Sequence, residues 1–231
     1  MRNSLLATVS GGGQLNLKQG FTLAEVLITL GIIGIVASMT LPAVLHNYKR
    51  QEMSAKIKKF YTNMSQAVKL SEIDNGPAFY WSKEVRKVND DGSVTNTQGT
   101  IAFFNHYLAK YLKTVAKEED EKAFVIMADG STLSMNIGYC LDIIFDYNGK
   151  KAPNTLGIDQ FDFLLCTEEG YNAGYLRSRQ NPFEAYFPSK CRKNSCSRNE
   201  FLSACKNNAA FCSSLLMYDG WNFKDDYPYK L

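Results

Sequence analysis

From Phe21 to Leu45 the chain runs for 25 residues with one charged side chain, Glu25. A helix needs about 20 apolar residues to cross a bilayer core, so this run is long enough to span one. A carboxylate inside such a helix costs on the order of 2.5–3.5 kcal/mol at the centre and less towards the interface. Glu25 lies one turn from the start, so its cost is reduced but not removed. Pro42 withdraws one backbone donor and bends the helix. Gly31 and Gly34 weaken the same region by roughly 1 kcal/mol each relative to alanine.

The helical pattern continues past the apolar run. Ile57, Phe60, Tyr61, Met64, Ala67, Val68 and Ser71 recur at three-and-four spacing, and Lys58, Lys59, Asn63, Lys69 and Glu72 take the opposite face. Asp74-Asn75-Gly76-Pro77 then supplies a stop, a glycine suited to a left-handed cap followed by proline. The sequence therefore predicts one helix over 21–75, apolar all round over 21–45 and amphipathic afterwards.

Before the run stand Lys18 and Gly20, and Gly20-Phe21-Thr22-Leu23-Ala24-Glu25 resembles the processing site of type IV prepilins and type II secretion pseudopilins. The resemblance implies cleavage between Gly20 and Phe21 by a membrane-bound prepilin peptidase, with N-methylation of Phe21. Glu25 falls at the glutamate that family uses for assembly and methylation, and Pro42 at its helix-kinking proline. It also implies a bacterial inner-membrane protein, single-pass with its head outside the cytoplasm, later carried into a pilus or pseudopilus in the periplasm or at the cell surface. A conventional signal peptide has its apolar core before the cut and loses it. Here the apolar run follows Gly20, so cleavage would keep the membrane helix.

Charge counting points the other way. Lys49, Arg50, Lys56, Lys58 and Lys59 follow the run closely, against Arg2 and Lys18 before it, which by the positive-inside rule places the C-terminal side in the cytoplasm. The order of processing and the cysteines favour the opposite orientation. Cys140, Cys166, Cys191, Cys196, Cys205 and Cys212 all lie in the C-terminal half, an even set that reads as disulfides in an oxidising compartment. No CxxC pair is present to suggest zinc. Six cysteines allow 15 pairings, and the spacing does not choose among them. Without Arg2 and Lys18 the 26 basic residues fall to 24 against 23 acidic ones. Nucleic-acid binding is thus not indicated by net charge.

Downstream, 77–100 reads as a polar loop, and Ile101, Phe104, Leu108, Tyr111, Leu112 and Val115 as a second amphipathic helix. The charged 117–122 run reads as a solvated loop. Ala123–Met127 and Thr132–Ile137 flank Asp129-Gly130, a hairpin signal. Strands at Leu141–Phe145 and Phe161–Leu165 follow, the latter with Phe161 and Phe163 on one face. Beyond Tyr171 only Glu200–Phe211 reads as helix, with a final strand or turn near Met217–Trp221. The expected organisation is a leader (1–20), a long helix (21–75) and a disulfide-containing head (76–231). The fold class is α+β, with the helix packed on a small antiparallel sheet of about four strands.

The stretch Asp146–Phe163 carries Asp146, Asn148 and Asp159 among glycines, an oxygen set of the kind calcium takes. Asn148-Gly149 and Pro153-Asn154 form turns without any ion. The stretch resembles a D-x-N-G…P-N…G-x-D-x-F pattern of bacterial pilin-like heads, some of which bind calcium. Apart from that ion no cofactor is expected. No nucleotide loop, HExxH or GxSxG is present, and neither His46 nor His106 stands in a catalytic constellation. The expected function is structural and not enzymatic: a filament subunit of a type IV pilus (fimbrium) or a type II secretion pseudopilus, with other pilin subunits as partners. The alternatives are a minor pilin or pseudopilin that primes assembly or binds DNA or a surface, and a single-span receptor or adhesin.

Overall fold

The computed structural model describes residues 20–83, 97–119, 123–193 and 195–231, without the side chains at 43, 46, 97, 98, 118, 119 and 193. The leader, most of the 77–100 loop and part of the 117–122 run thus lie outside the described residues. The chain divides at Leu45 into two compact units.

Helix α1 covers Leu23–Asn75, 53 residues, about 80 Å of axis at 1.5 Å per residue. In the first unit its apolar side chains are all exposed, from Phe21 at 89% to Leu45 at 56%. It is long and apolar enough to cross a membrane. The helix ends as the sequence indicates: Gly76 takes φ of +76° immediately after Asn75.

In the second unit, 46–231, the outer half of α1 lies against a six-stranded antiparallel sheet with strands in sequential order. The strands are β1 (Thr114–Glu119), β2 (Ala123–Met127), β3 (Thr132–Ile137), β4 (Cys140–Asp146), β5 (Gln160–Cys166) and β6 (Phe183–Ala185). Met53, Ile57, Phe60, Met64, Ala67, Val68 and Ser71 are all buried, the face predicted from periodicity with Met53 added and Tyr61 at its margin. Phe60 stacks on Phe145 at 4.3 Å and meets Phe163 edge-on at 5.1 Å. Burying each such side chain contributes about 1.5–3 kcal/mol. Phe161, Phe163 and Leu165 of β5 belong to this core, and Leu164 and Cys166 join Cys140 and Leu176 in a second cluster.

Several expectations are corrected. Among the described residues six strands form, against about four expected. Helix α2 spans Thr97–Tyr107, so it begins inside the expected loop and stops short of Leu112 and Val115. Val115 instead lies in β1, 68% exposed. The charged 117–119 residues pair with β2 as an edge strand, with Lys117 opposite Val125 and Glu119 opposite Ala123. The C-terminal region holds four short helices: α3 (Glu168–Asn172), α4 (Ser189–Lys193), α5 (Arg198–Asn207) and α6 (Cys212–Tyr218). The Met217–Trp221 segment is therefore a helix end and a turn, with Gly220 and Trp221 at φ of +67° and +68°.

The three disulfides join Cys140 to Cys166, Cys191 to Cys196 and Cys205 to Cys212. The first follows from register, because Cys140 stands directly opposite Cys166 in the β4–β5 ladder. The other two staple neighbouring turns of the helical C-terminal region.

Candidate functional site

Two places carry chemistry: the start of α1 and the β4–β5 loop. At the first, Thr22 and Glu25 form a reciprocal cap. The Thr22 backbone N–H donates to Glu25 Oε2 at 2.8 Å, the Thr22 hydroxyl donates to the same oxygen at 2.9 Å, and the Glu25 N–H donates to Thr22 Oγ1 at 3.3 Å. This is a capping box, which satisfies donors that the first helical turn leaves open. Glu25 therefore has a role within its own chain, which the reading of it as an unsatisfied charge overlooked. The signal, Thr-x-x-Glu before an apolar run, was present in the sequence.

The cap lies wholly C-terminal to the Gly20–Phe21 bond, so cleavage there would leave it in place. Among the described residues Glu25 Oε1 has no partner, and it remains open to an external donor. A side chain at Gly20 would meet nothing within 4 Å, and neither would one at Gly31 or Gly34. Packing therefore does not explain the glycine at position 20. Pro42 lies inside α1. Around it Ser38 Oγ donates to Ile35 O at 2.8 Å and Thr40 Oγ1 to Val36 O at 3.0 Å, so these hydroxyls are satisfied within the helix.

At the second place, the loop after β4 folds around two buried carboxylates. Asp159 is 1% exposed. It accepts the backbone N–H groups of Asn154 at 2.9 Å and Thr155 at 2.6 Å, and Asn148 Nδ2 at 3.3 Å. Asp146 accepts the Asn148 N–H at 3.1 Å and Gln160 Nε2 at 3.1 Å. Burial pushes the Asp146 carboxyl above its ordinary value, and the hydrogen bonds from Gln160 and Asn148 oppose that. Asp146, Asn148 and Asp159 are thus brought together, but amide donors already occupy both oxygens of Asp159.

Asn154, which the sequence reading had placed only in a turn, completes the loop. Its φ is +50°, a left-handed conformation asparagine tolerates. Its amide terminus lies 3.0 Å from Asp146 Oδ2, 3.3 Å from Gly149 O and 3.2 Å from Lys151 O. Three acceptors face this end of the amide and only donors the other, so the nitrogen belongs here, and a cation would have to displace it. Among the described residues Asn148 Oδ1 is buried without a hydrogen-bond partner. No three His, Cys, Asp or Glu side chains converge as a metal site among the described residues.

Two glycines are obligatory here. Gly149 has φ of +76°, and a Cβ on it would stand 2.6 Å from Gly130 O; Gly157 has φ of +78° under the Tyr229 ring. The C-terminal tail is tied down on this loop, with the Tyr227 hydroxyl donating to Gly157 O at 2.7 Å. His106, at the end of α2, lies edge-on to Tyr107 at 4.5 Å, and the His46 side chain is outside the described residues.

Residues 43–231 match a family of unknown function (DUF6613). Residues 15–41 match the prokaryotic N-terminal methylation motif, the signature of type IV pilins and pseudopilins. No curated protein and no solved structure matches the chain.

Proposed function

The chain belongs to the family of unknown function DUF6613 and begins with a prokaryotic N-terminal methylation motif, and from that premise we propose that it is a structural, non-enzymatic subunit of a type IV pilus or type II secretion pseudopilus. The observation that carries this is the overlap of that motif with the start of the helix. The motif ends at 41, α1 starts at Leu23, and the apolar side chains of its first half are exposed and have no core of their own. A surface of that kind needs lipid or copies of itself.

Prepilin peptidase would cut after Gly20 and methylate Phe21 while the apolar helix anchors the precursor in the inner membrane, head outside the cytoplasm. Filament assembly would then bury the helix against other subunits. Glu25 would keep its cap through Oε2 and accept the Phe21 amine of a neighbouring subunit at Oε1. That pair would set axial register, a use for which buried polar contacts are best attested. The test is the N-terminus of the protein purified from its own cells. A chain starting at N-methylated Phe21, lost in Gly20→Ala, is expected; an N-terminus elsewhere would refute the assignment.

A second reading concerns the head. The convergence of Asp146 Oδ2, Gly149 O and Lys151 O on one point supports calcium bound there in place of the Asn154 amide nitrogen. Calcium takes six to eight oxygens, carbonyls included, which fits a set with one carboxylate. Asn148 and Asp159 would then shape the loop. Thermal melting with millimolar calcium and with chelator decides it: a higher melting temperature with calcium, abolished in Asp146→Asn, is expected. Identical curves would remove the ion from the account.

A further inference from the structure

The basic cluster after the apolar run is unexplained by filament assembly, and by charge counting it conflicts with a head outside the cytoplasm. Its members differ in structure. Lys56 pairs with Glu52 at 3.1 Å and Lys59 with Asp129 at 2.9 Å. Lys49 and Lys58 pair with no carboxylate among the described residues. Arg50 is held by Phe223 O at 2.5 Å and reaches Asp225 Oδ1 only at 3.4 Å, and that carboxylate is fully exposed. The cations of this cluster without a close carboxylate among the described residues are Lys49, Arg50 and Lys58, the first two on the turn nearest the apolar run.

That turn borders an open polar cavity of about 260 Å³. Asn47, Arg50, Gln51 and Ser54 line it from α1, and Asn222, Phe223 and Asp225 from the C-terminal segment. The α1 residues follow Leu45 by two to nine positions. In a chain inserted through the apolar run, these positions fall in the headgroup layer. Tyr48, in the same turn, is 64% exposed, as interfacial aromatics are. The Ser54 hydroxyl donates to Trp221 O and the Asn222 amide to Asp219 O and Gly220 O, which leaves the Arg50 guanidinium and the amides of Asn47 and Gln51 as donors suited to phosphate and glycerol oxygens. Asp225 is the one acid on the rim, and it stands at the edge of hydrogen-bonding distance from Arg50.

We propose that this cavity binds the headgroup of an anionic glycerophospholipid in the outer leaflet, with Arg50 on the phosphate and the amides of Asn47 and Gln51 on the glycerol. The proposal rests on the membrane anchoring proposed above. It gives Arg50 a ligand on the non-cytoplasmic side, so the presence of that residue there does not argue for an inverted topology. Asp225 competes with the phosphate for Arg50.

The test uses the full chain in nanodiscs of phosphatidylcholine with and without phosphatidylglycerol, with retained lipids identified by native mass spectrometry. Wild type is expected to retain phosphatidylglycerol in preference to phosphatidylcholine, and Arg50→Gln to lose about fivefold of that preference, the effect of one interfacial cation. Asp225→Asn, whose exposed side chain supports no core, is expected to strengthen it. Lys58→Gln, outside the cavity, should leave it unchanged. Equal loss in Lys58→Gln and Arg50→Gln would mean a diffuse basic surface and overturn the site, as would displacement of the lipid by millimolar inorganic phosphate. Chain recovered in nanodiscs without any preference would overturn the site alone. Chain recovered outside them would overturn the anchoring, and the site with it.

Discussion

Thr22 and Glu25 hold each other across the first turn of α1, with Thr22 N–H to Glu25 Oε2 at 2.8 Å and Glu25 N–H to Thr22 Oγ1 at 3.3 Å. A cap of this kind contributes about 1 kcal/mol. It gives Glu25 two separable duties, capping its own helix and offering its charge to a neighbour. Glu25→Gln keeps the acceptor and removes the charge; Glu25→Ala removes both. Both variants should insert in the membrane, and both should be depleted from sheared filaments if pairing with the Phe21 amine is required. Incorporation of Glu25→Gln at the wild-type level would leave the cap as the residue's whole role.

Gly130 and Gly149 share a left-handed backbone but differ in surroundings. A Cβ on Gly130, at φ of +81°, meets nothing within 4 Å, and one on Gly149 meets Gly130 O at 2.6 Å. Gly130→Ala should therefore cost only the conformational penalty, about 1–2 kcal/mol. Gly149→Ala adds a backbone collision that no side chain can relieve, so it should lower the melting temperature distinctly further. Equal shifts would show that the β2–β3 turn moves aside freely.

What the sequence made legible follows from which forces leave a periodic trace. The buried face of α1 from Ile57 to Ser71 could be read because burial on a helix repeats at 3.6 residues, and β2 to β5 because their apolar runs are bounded by turns. β1 could not, because Lys117, Glu118 and Glu119 sit on an edge strand, where charge guards against further pairing. β6, only Phe183–Ala185, is too short to show a period. Disulfide pairing depended on the β4–β5 register and on close turns among the short helices, both tertiary facts. At the candidate sites, Gly20, Phe21 and Glu25 were legible as a motif. Asn154 was not, because its part depends on carbonyls that converge only after the loop has folded.

Phe60 is the residue through which α1 grips the sheet, stacked 4.3 Å from Phe145 and edge-on to Phe163 and Phe183 at 5.1 and 6.0 Å. Phe60→Ala should cost about 3–5 kcal/mol, the usual range for a buried aromatic. For a domain of this size that is roughly 6–20 °C in melting temperature. Phe60→Leu should recover more than half of the loss. The measurement is thermal unfolding of the full chain in detergent, followed by near-ultraviolet circular dichroism. A shift under a few degrees for Phe60→Ala would mean that the helix is held chiefly by its other contacts.

Asp142 and Asp162 give the head an inverted response to pH. They are diagonal neighbours on one face, since Asp142 pairs with Leu164 and Asp162 with Ile144 in the β4–β5 register. Burial pushes the Asp162 carboxyl up to about 7, with the Asp142 charge adding to it. Burial lifts Asp142 to about 6, against the opposing charge of Lys83. Asp142 is the more exposed of the two, so solvent screens more of its share. Both folded values lie above the unfolded range near 4. The folded state therefore binds protons more tightly, and stability falls as pH rises from about 4 to 7. The head should denature at higher denaturant concentration at pH 5 than at pH 7.5. Asp162→Asn should raise the midpoint at pH 7.5 and remove most of that slope. The lowered carboxylates Asp74, Asp129, Glu200 and Asp226 act only below this window, where protonation removes their contribution. An unchanged slope in Asp162→Asn would show that this pair is hydrated and titrates as ordinary surface acids do.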